Sequence, residues 1–252
     1  MKYAYLSLAC GLLLMLSCSK DKKAAQPAEP QGPLLKSVIR IPPDPYASKD
    51  TALYFYDDQG RCIEETTRET RSEFTYSGNT IIVEGKNYQS NTTGTSVFYM
   101  RSKYLADSAV STQHGKNGSP DQKYLAVCKY NSDNQLRETI TTEYYTGTLL
   151  GKYTYTYDGG NPVKQTYYAR NGNAWSKSWS ATYTYDAGRN NDIRIPYPEV
   201  GRTGGVNLML TEQEEGRPQA SELEYTYDAQ NRVQTKAYKG PGSKTTTYYS
   251  YY

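Results

Sequence analysis

From Tyr54 onward the chain repeats one phrase: an alternating tyrosine run, an acidic or amide residue, a short polar turn, then a second alternating run. The clearest copies are Leu53-Tyr54-Phe55-Tyr56-Asp57, Tyr153-Thr154-Tyr155-Thr156-Tyr157-Asp158, Tyr183-Thr184-Tyr185-Asp186 and Tyr225-Thr226-Tyr227-Asp228. A period of two marks a β-strand with one buried face, and a single strand–turn–strand unit cannot bury that face alone. The repeat therefore demands a many-stranded antiparallel sheet. It names no reaction.

In the last copy Leu223, Tyr225 and Tyr227 share one face and Glu222, Glu224 and Thr226 the other. Asp228-Ala229-Gln230-Asn231 supplies turn chemistry, and the return strand is expected to place Val233, Thr235 and Ala237 inside. The aspartate after the tyrosine reads as structural, its carboxylate accepting backbone N–H bonds in the turn. Weaker copies run from Phe74 through Gly78-Asn79 to Glu84, from Tyr124 through Asn131-Ser132-Asp133-Asn134 to Thr139, and from Val97 to Tyr104. A dozen or more antiparallel strands are expected. Open sheets rarely pass about ten strands without curling, so the expected fold is an all-β meander of hairpins bent into a half-barrel or incomplete barrel. The C-terminal Tyr248-Tyr249-Ser250-Tyr251-Tyr252 reads as a final edge strand.

The N-terminus reads as a targeting segment. Lys2 is followed by an apolar stretch from Leu6 to Leu16 and then Ser17-Cys18. That stretch is about half the roughly 20 residues a spanning helix needs, and ending it on cysteine points to a lipoprotein signal over 1–17 with Cys18 lipidated. Residues 18–35 then form a flexible tether carrying several prolines, and 36–252 a single β domain. Acyl chains at about 0.8 kcal/mol per buried methylene hold such a protein on a membrane. Outer-membrane attachment is expected, on the cell surface or the periplasmic face. Cys62 and Cys128 remain in the mature domain and read as two separate buried thiols.

Formal net charge is +3 and the basic residues are scattered, so no nucleic-acid partner is expected. His114 is the only histidine and has no metal-ligand spacing around it. Glu64-Glu65 and Glu214-Glu215 are adjacent pairs, which a strand sends to opposite faces. No catalytic residue, metal or cofactor is expected.

The chain carries 28 tyrosines against 3 phenylalanines. Most read as cross-strand packing pairs, although each buried hydroxyl needs a partner or water. One row stands out: Trp175-Lys177-Trp179-Ala181-Tyr183-Tyr185, in a single strand parity. Trp175, Trp179, Tyr183 and Tyr185 are the expected ligand-binding residues, an aromatic face on which a glycan would stack. Asn190 to Arg217 is a long irregular insertion, with Val206 to Leu210 packing down as a short helix or strand.

The copies resemble the YD repeats of large bacterial wall-associated and Rhs-type proteins. Tyr56-Asp57-Asp58-Gln59-Gly60-Arg61-Cys62-Ile63 and Tyr227-Asp228-Ala229-Gln230-Asn231-Arg232-Val233 match that phrase; the copy at Tyr157-Asp158 lacks the arginine, and Tyr130-Asn131 replaces the aspartate. With the lipoprotein-type signal, the chain from about residue 36 to 252 resembles uncharacterised Bacteroidota lipoproteins with a porin-like domain. The resemblance implies a fold and no catalytic residues. It also implies a source in which Asp50-Thr51-Ala52 and Asp107-Ser108-Ala109 are similar to O-glycosylation signals, placing Thr51 and Ser108 on exposed turns. The expected function is a non-enzymatic, membrane-anchored binding lipoprotein for an extended polar ligand such as a glycan. The alternatives are a periplasmic lipid or protein carrier or chaperone, with an envelope protein as its partner, and a structural or adhesion module.

Overall fold

The computed structural model describes residues 34–42, 49–102, 105–115, 119–191, 193, 205–240 and 243–252. The signal segment, Cys18 and the tether up to residue 33 lie outside them. Among the described residues sixteen strands follow one another in an antiparallel meander. They are β1 (Leu35–Ile41), β2 (Asp50–Tyr56), β3 (Cys62–Thr66), β4 (Thr70–Ser77), β5 (Thr80–Asn87) and β6 (Thr92–Met100). Next come β7 (Ala106–Gln113), β8 (Gln122–Tyr130), β9 (Leu136–Glu143), β10 (Leu149–Asp158) and β11 (Asn161–Asn171). The last are β12 (Ala174–Asn190), β13 (Asn207–Glu214), β14 (Ser221–Tyr227), β15 (Val233–Gly240) and β16 (Ser243–Tyr251).

The sheet is a closed barrel, which corrects the expected half-barrel. Closure comes from β1 pairing with β16 through Val38↔Tyr249 and Arg40↔Thr247. The C-terminal strand is thus no edge: β15 lies on its other side. Closure removes the two open edges that a half-barrel would present to other chains.

Because the repeat spans two strands, the turns after Tyr56, Tyr157 and Tyr227 land on the same rim, whereas Asp186 lies within β12. Three turns there are superimposable in their bonding. Asp57 Oδ1 accepts the N–H of Gln59 at 3.0 Å and of Arg61 at 2.9 Å, and Oδ2 accepts Arg61 Nε at 2.6 Å. Asp228 does the same with Gln230 and with the backbone N–H and Nε of Arg232. In the third turn Asn131 Oδ1 accepts the N–H of Asp133 and Gln135, and its Nδ2 donates to Gln135 Oε1 at 2.7 Å. Asn–Gln there replaces Asp–Arg as a neutral equivalent. The fourth turn position needs φ > 0, and holds Gly60 (71°), Asn134 (59°) and Asn231 (60°).

The inner face is tied by a second repeated device. A tyrosine late in an even-numbered strand donates its hydroxyl to a carbonyl at the start of the preceding strand. Tyr56 bonds Leu35 O, Tyr76 bonds Cys62 O, Tyr130 bonds Ala106 O and Tyr157 bonds Leu136 O. Tyr185 bonds Pro162 O, Tyr225 bonds Met209 O and Tyr251 bonds Val233 O, these seven distances all lying between 2.7 and 2.9 Å. On β6 the corresponding residue is Met100, which has no hydroxyl. Leu35, Cys62, Ala106, Leu136 and Val233 are all buried, so each clasp closes over an apolar start residue. The turn arginines complete the link: Arg61 stacks on Tyr76 at 4.7 Å and Arg232 on Tyr251 at 4.7 Å. This is why tyrosine displaces phenylalanine. The ring fills the core and the hydroxyl satisfies a carbonyl there.

Cys62 and Cys128 are separate, both buried and neither joined in a disulfide, and burial pushes the Cys62 thiol up to about 12. β-Bulges shift parity where the sequence shows none. A register shift between Thr226 and Tyr227 leaves Val233 opposite Tyr227 but turns Thr235 opposite Thr226 and Ala237 opposite Glu224. Val233 is thus inside, whereas Thr235 and Ala237, expected inside, fall on the outward rows, where Ala237 is nonetheless buried. Thr51 and Ser108 lie within β2 and β7, on the outer face, not on turns. Val206 to Leu210 runs into β13 as strand.

The turns carry a pH prediction. The Asp57 carboxyl is held below its ordinary value by the Arg61 backbone N–H and then by its guanidinium. At Asp228 burial alone would raise the carboxyl, and the Arg232 bonds outweigh it. A carboxylate with a depressed folded-state pKa stabilises the fold above its unfolded pKa, about 3.9, and loses that contribution as pH falls through the folded value. The double variant Asp57→Asn, Asp228→Asn keeps the backbone acceptors and loses the ion pairs. Its melting temperature is expected to lie below wild type at pH 7 and to converge on it below about pH 4. A gap that stays constant from pH 7 to pH 3 contradicts this account.

Candidate functional site: a cavity in the barrel lumen

The expected aromatic row does not exist as one surface. In the β11–β12 pairing Tyr167 faces Trp179 but Tyr168 faces Lys177, leaving Ser178 as a bulge. Trp179, Tyr183 and Tyr185 point inward, while Trp175 points outward with Lys177. Outside, Lys152 Nζ sits 5.0 Å from the Trp175 ring and Arg170 5.3 Å from it. Inside, Trp179 continues a rank formed by Tyr153 and Tyr167, whose rings are 4.8 Å apart. A Cβ at Gly151 would meet the Tyr167 ring at 2.7 Å, so a larger residue there must push that ring aside. Tyr183 donates to Gln165 Oε1 at 3.0 Å and Tyr185 to Pro162 O. Their hydroxyls are committed to the wall.

The lumen holds a cavity of about 470 Å³ along the arc where the chain closes on itself. One row of its wall crosses five adjacent strands: Asp50↔Arg40↔Thr247↔Lys236↔Tyr225. The next row carries Ala52, Val38 and Tyr249. Leu223 and Met209 add apolar wall, and Tyr54 and Glu65 face each other on β2 and β3. The Lys236 ammonium is pushed down by burial first and by the Arg40 charge next, with Glu212 acting the other way. Burial also raises Glu212, with Glu214 adding to it. Among the described residues neither Arg40 nor Lys236 makes an ion pair. The sequence signal for this site was weak: single charged residues at inward positions of strands, two of which are neighbours across more than two hundred residues.

The remaining candidates are accounted for locally. His114 Nδ1 lies 3.0 Å from Asp121 Oδ2 and Nε2 lies 3.3 Å from Thr95 Oγ1. Glu64 faces outward to Arg71 at 2.7 Å, whereas Glu65 faces the lumen. No group of three or more potential metal ligands occurs among the described residues.

The outer face carries charge on several strands, with Glu64, Glu73 and Glu224 inside their strands and Lys129, Lys177, Glu215 and Lys239 toward or just beyond strand ends. Arg71 bridges Glu64 and Glu73, Lys129 pairs with Glu138 at 2.7 Å, Lys177 with Glu215 at 2.6 Å, and Lys239 with Glu224. No helix among the described residues is long and apolar enough to cross a membrane.

No protein-family model and no curated protein matches the chain. Among solved structures the chain is similar to a porin-like protein from Bacteroides uniformis, at 11% sequence identity and a TM-score of 0.60. The match covers 88% of this chain and 99% of that one. At that identity the likeness is one of fold: an all-β antiparallel barrel of the porin-like kind.

Proposed function

We propose that this chain is a lipid-anchored, non-enzymatic binding protein of the bacterial outer membrane, and that its ligand enters the barrel lumen instead of lying along an aromatic strand. The observation that carries this reading is the contrast between the two parts of the inner wall. Around the rim, tyrosine hydroxyls are spent on backbone carbonyls. In the cavity at the seam, Arg40 and Lys236 stand without ion-pair partners among the described residues. Small-molecule sites combine apolar wall with a few convergent polar groups in this way. The barrel itself is read as standing in water. An Arg or Lys at the midplane of a lipid face costs about 2–4 kcal/mol, less for Asp or Glu or nearer the interface, and the outer face spreads charged side chains of both signs over many strands. Attachment through Cys18 then supplies the membrane contact. An outer glycan platform draws no support from this geometry, because Trp175 and Trp179 face opposite ways.

The test is native mass spectrometry of the mature protein taken from its membrane, beside Val38→Trp, which fills the cavity. A small-molecule adduct on wild type that is absent from a normally folded Val38→Trp is the expected result. If no adduct is found, and no member of a broad small-molecule panel raises the wild-type melting temperature, the lumen reading falls. A structural spacer then takes its place.

A further inference from the structure

We propose that the ligand of this lumen is an organic anion, a carboxylate, phosphate or sulfonate on a planar or apolar body, with its charged end held by Arg40, Thr247 and Lys236. This rests on the lumen-binding reading above and narrows it to a chemical class.

The three residues occupy one row on β1, β16 and β15. Neighbouring strands lie about 4.8 Å apart, so a guanidinium, a hydroxyl and an ammonium stand side by side across roughly 10 Å. That spacing suits an oxyanion seated over Thr247 with a cation on each side. Charge-assisted hydrogen bonds of this kind are about twice as strong as neutral ones.

Among the described residues, the acids near the pair form no ion pair with it. Asp50 is the strand partner of Arg40 yet makes no ion pair with it. Glu65 faces Tyr54 and hydrogen-bonds it. Glu212 is close enough to influence Lys236 but not to pair with it. Burial and the neighbouring Arg40 both work against the Lys236 charge, and a bound anion relieves both at once. Next to the cations, Val38, Leu223 and Met209 provide apolar wall, and Tyr249 offers a ring face and a hydroxyl with no hydrogen-bond partner among the described residues. The cavity therefore has a charged end and a greasy end, and its size admits a two- or three-ring body.

The experiment uses two probes of nearly the same shape on the mature chain: anilinonaphthalenesulfonate and its neutral counterpart N-phenylnaphthylamine. Isothermal titration is expected to show the sulfonate binding roughly tenfold or more tighter than the neutral compound, as one lost charged hydrogen bond demands. Lys236→Met and Arg40→Gln should each weaken the sulfonate by about tenfold and leave the neutral probe unchanged. Both variants should melt no lower than wild type, since a half-buried ammonium gives way to a thioether of similar size and Arg40 is exposed. Equal affinity for both probes, unmoved by either variant, overturns the anion assignment while leaving the lumen as a binding site. Failure of both probes, and of inorganic phosphate, to bind or to raise the melting temperature removes the anion site and the lumen reading together.

Discussion

Ending the chain after Gly240 is expected to abolish cooperative folding, although the truncation removes only the last of sixteen strands. β16 joins both β15 and β1, and its loss exposes two long strand edges at once. It also removes the Tyr251 clasp on Val233, the hydroxyl pair Ser37–Ser250 at 2.7 Å, and the Tyr252 bonds to Leu34 O and Tyr54 O. Several kilocalories of packing and hydrogen bonding are lost from a fold whose whole margin is about 5–15 kcal/mol. Thermal melts followed by circular dichroism should show no sharp transition, and sedimentation should show aggregates. A truncated monomer that melts within a few degrees of wild type would mean that an open half-barrel is stable and that closure is incidental.

The second large effect is expected at Tyr157, where one side chain supplies both ring and hydroxyl. Tyr157→Phe keeps the ring and strands the Leu136 carbonyl, which should cost about 1–2 kcal/mol. Tyr157→Ala removes the ring from the cluster of Cys128, Leu136 and Tyr155 as well, and should cost about 3–5 kcal/mol. Chemical denaturation resolves the two steps. If phenylalanine is neutral, the hydroxyl is not a clasp and the excess of tyrosine over phenylalanine needs another cause. The same pair of substitutions at Tyr56 provides an independent repeat, because its acceptor, Leu35 O, lies in a distant hairpin.

Much of this architecture was legible in the residues. Alternation at Tyr153 to Tyr157 and Tyr225 to Tyr227 marks strands because a pleated chain has a side-chain period of two. Asp57 and Asp228 mark turns because a carboxylate two to four residues ahead of backbone N–H groups can cap them. Closure was not legible. It depends on Val38 meeting Tyr249 across more than two hundred residues, and period-two patterning says nothing about how many strands complete a circle. The candidate site was misread for a related reason. The row from Trp175 to Tyr185 has perfect alternation on paper, but one extra residue at Ser178 rotates Trp175 to the opposite face. A bulge leaves no mark when the residue inserted is small and polar. Arg40 and Lys236 carry no local signal at all; they become neighbours only through the strand between them, and that strand is the last in the chain.

The tyrosine clasp reaches only the strand before it, and each aspartate turn closes on itself. Every two-strand link therefore carries its own fastenings and is joined to its neighbours by a ladder of backbone bonds and, at two turns, by an arginine stacked on the next link's tyrosine. Barrel diameter grows roughly in proportion to strand number. In a chain of this kind the calibre of the bore is a copy number: gaining or losing one link alters the width by a fixed step and leaves the other fastenings untouched.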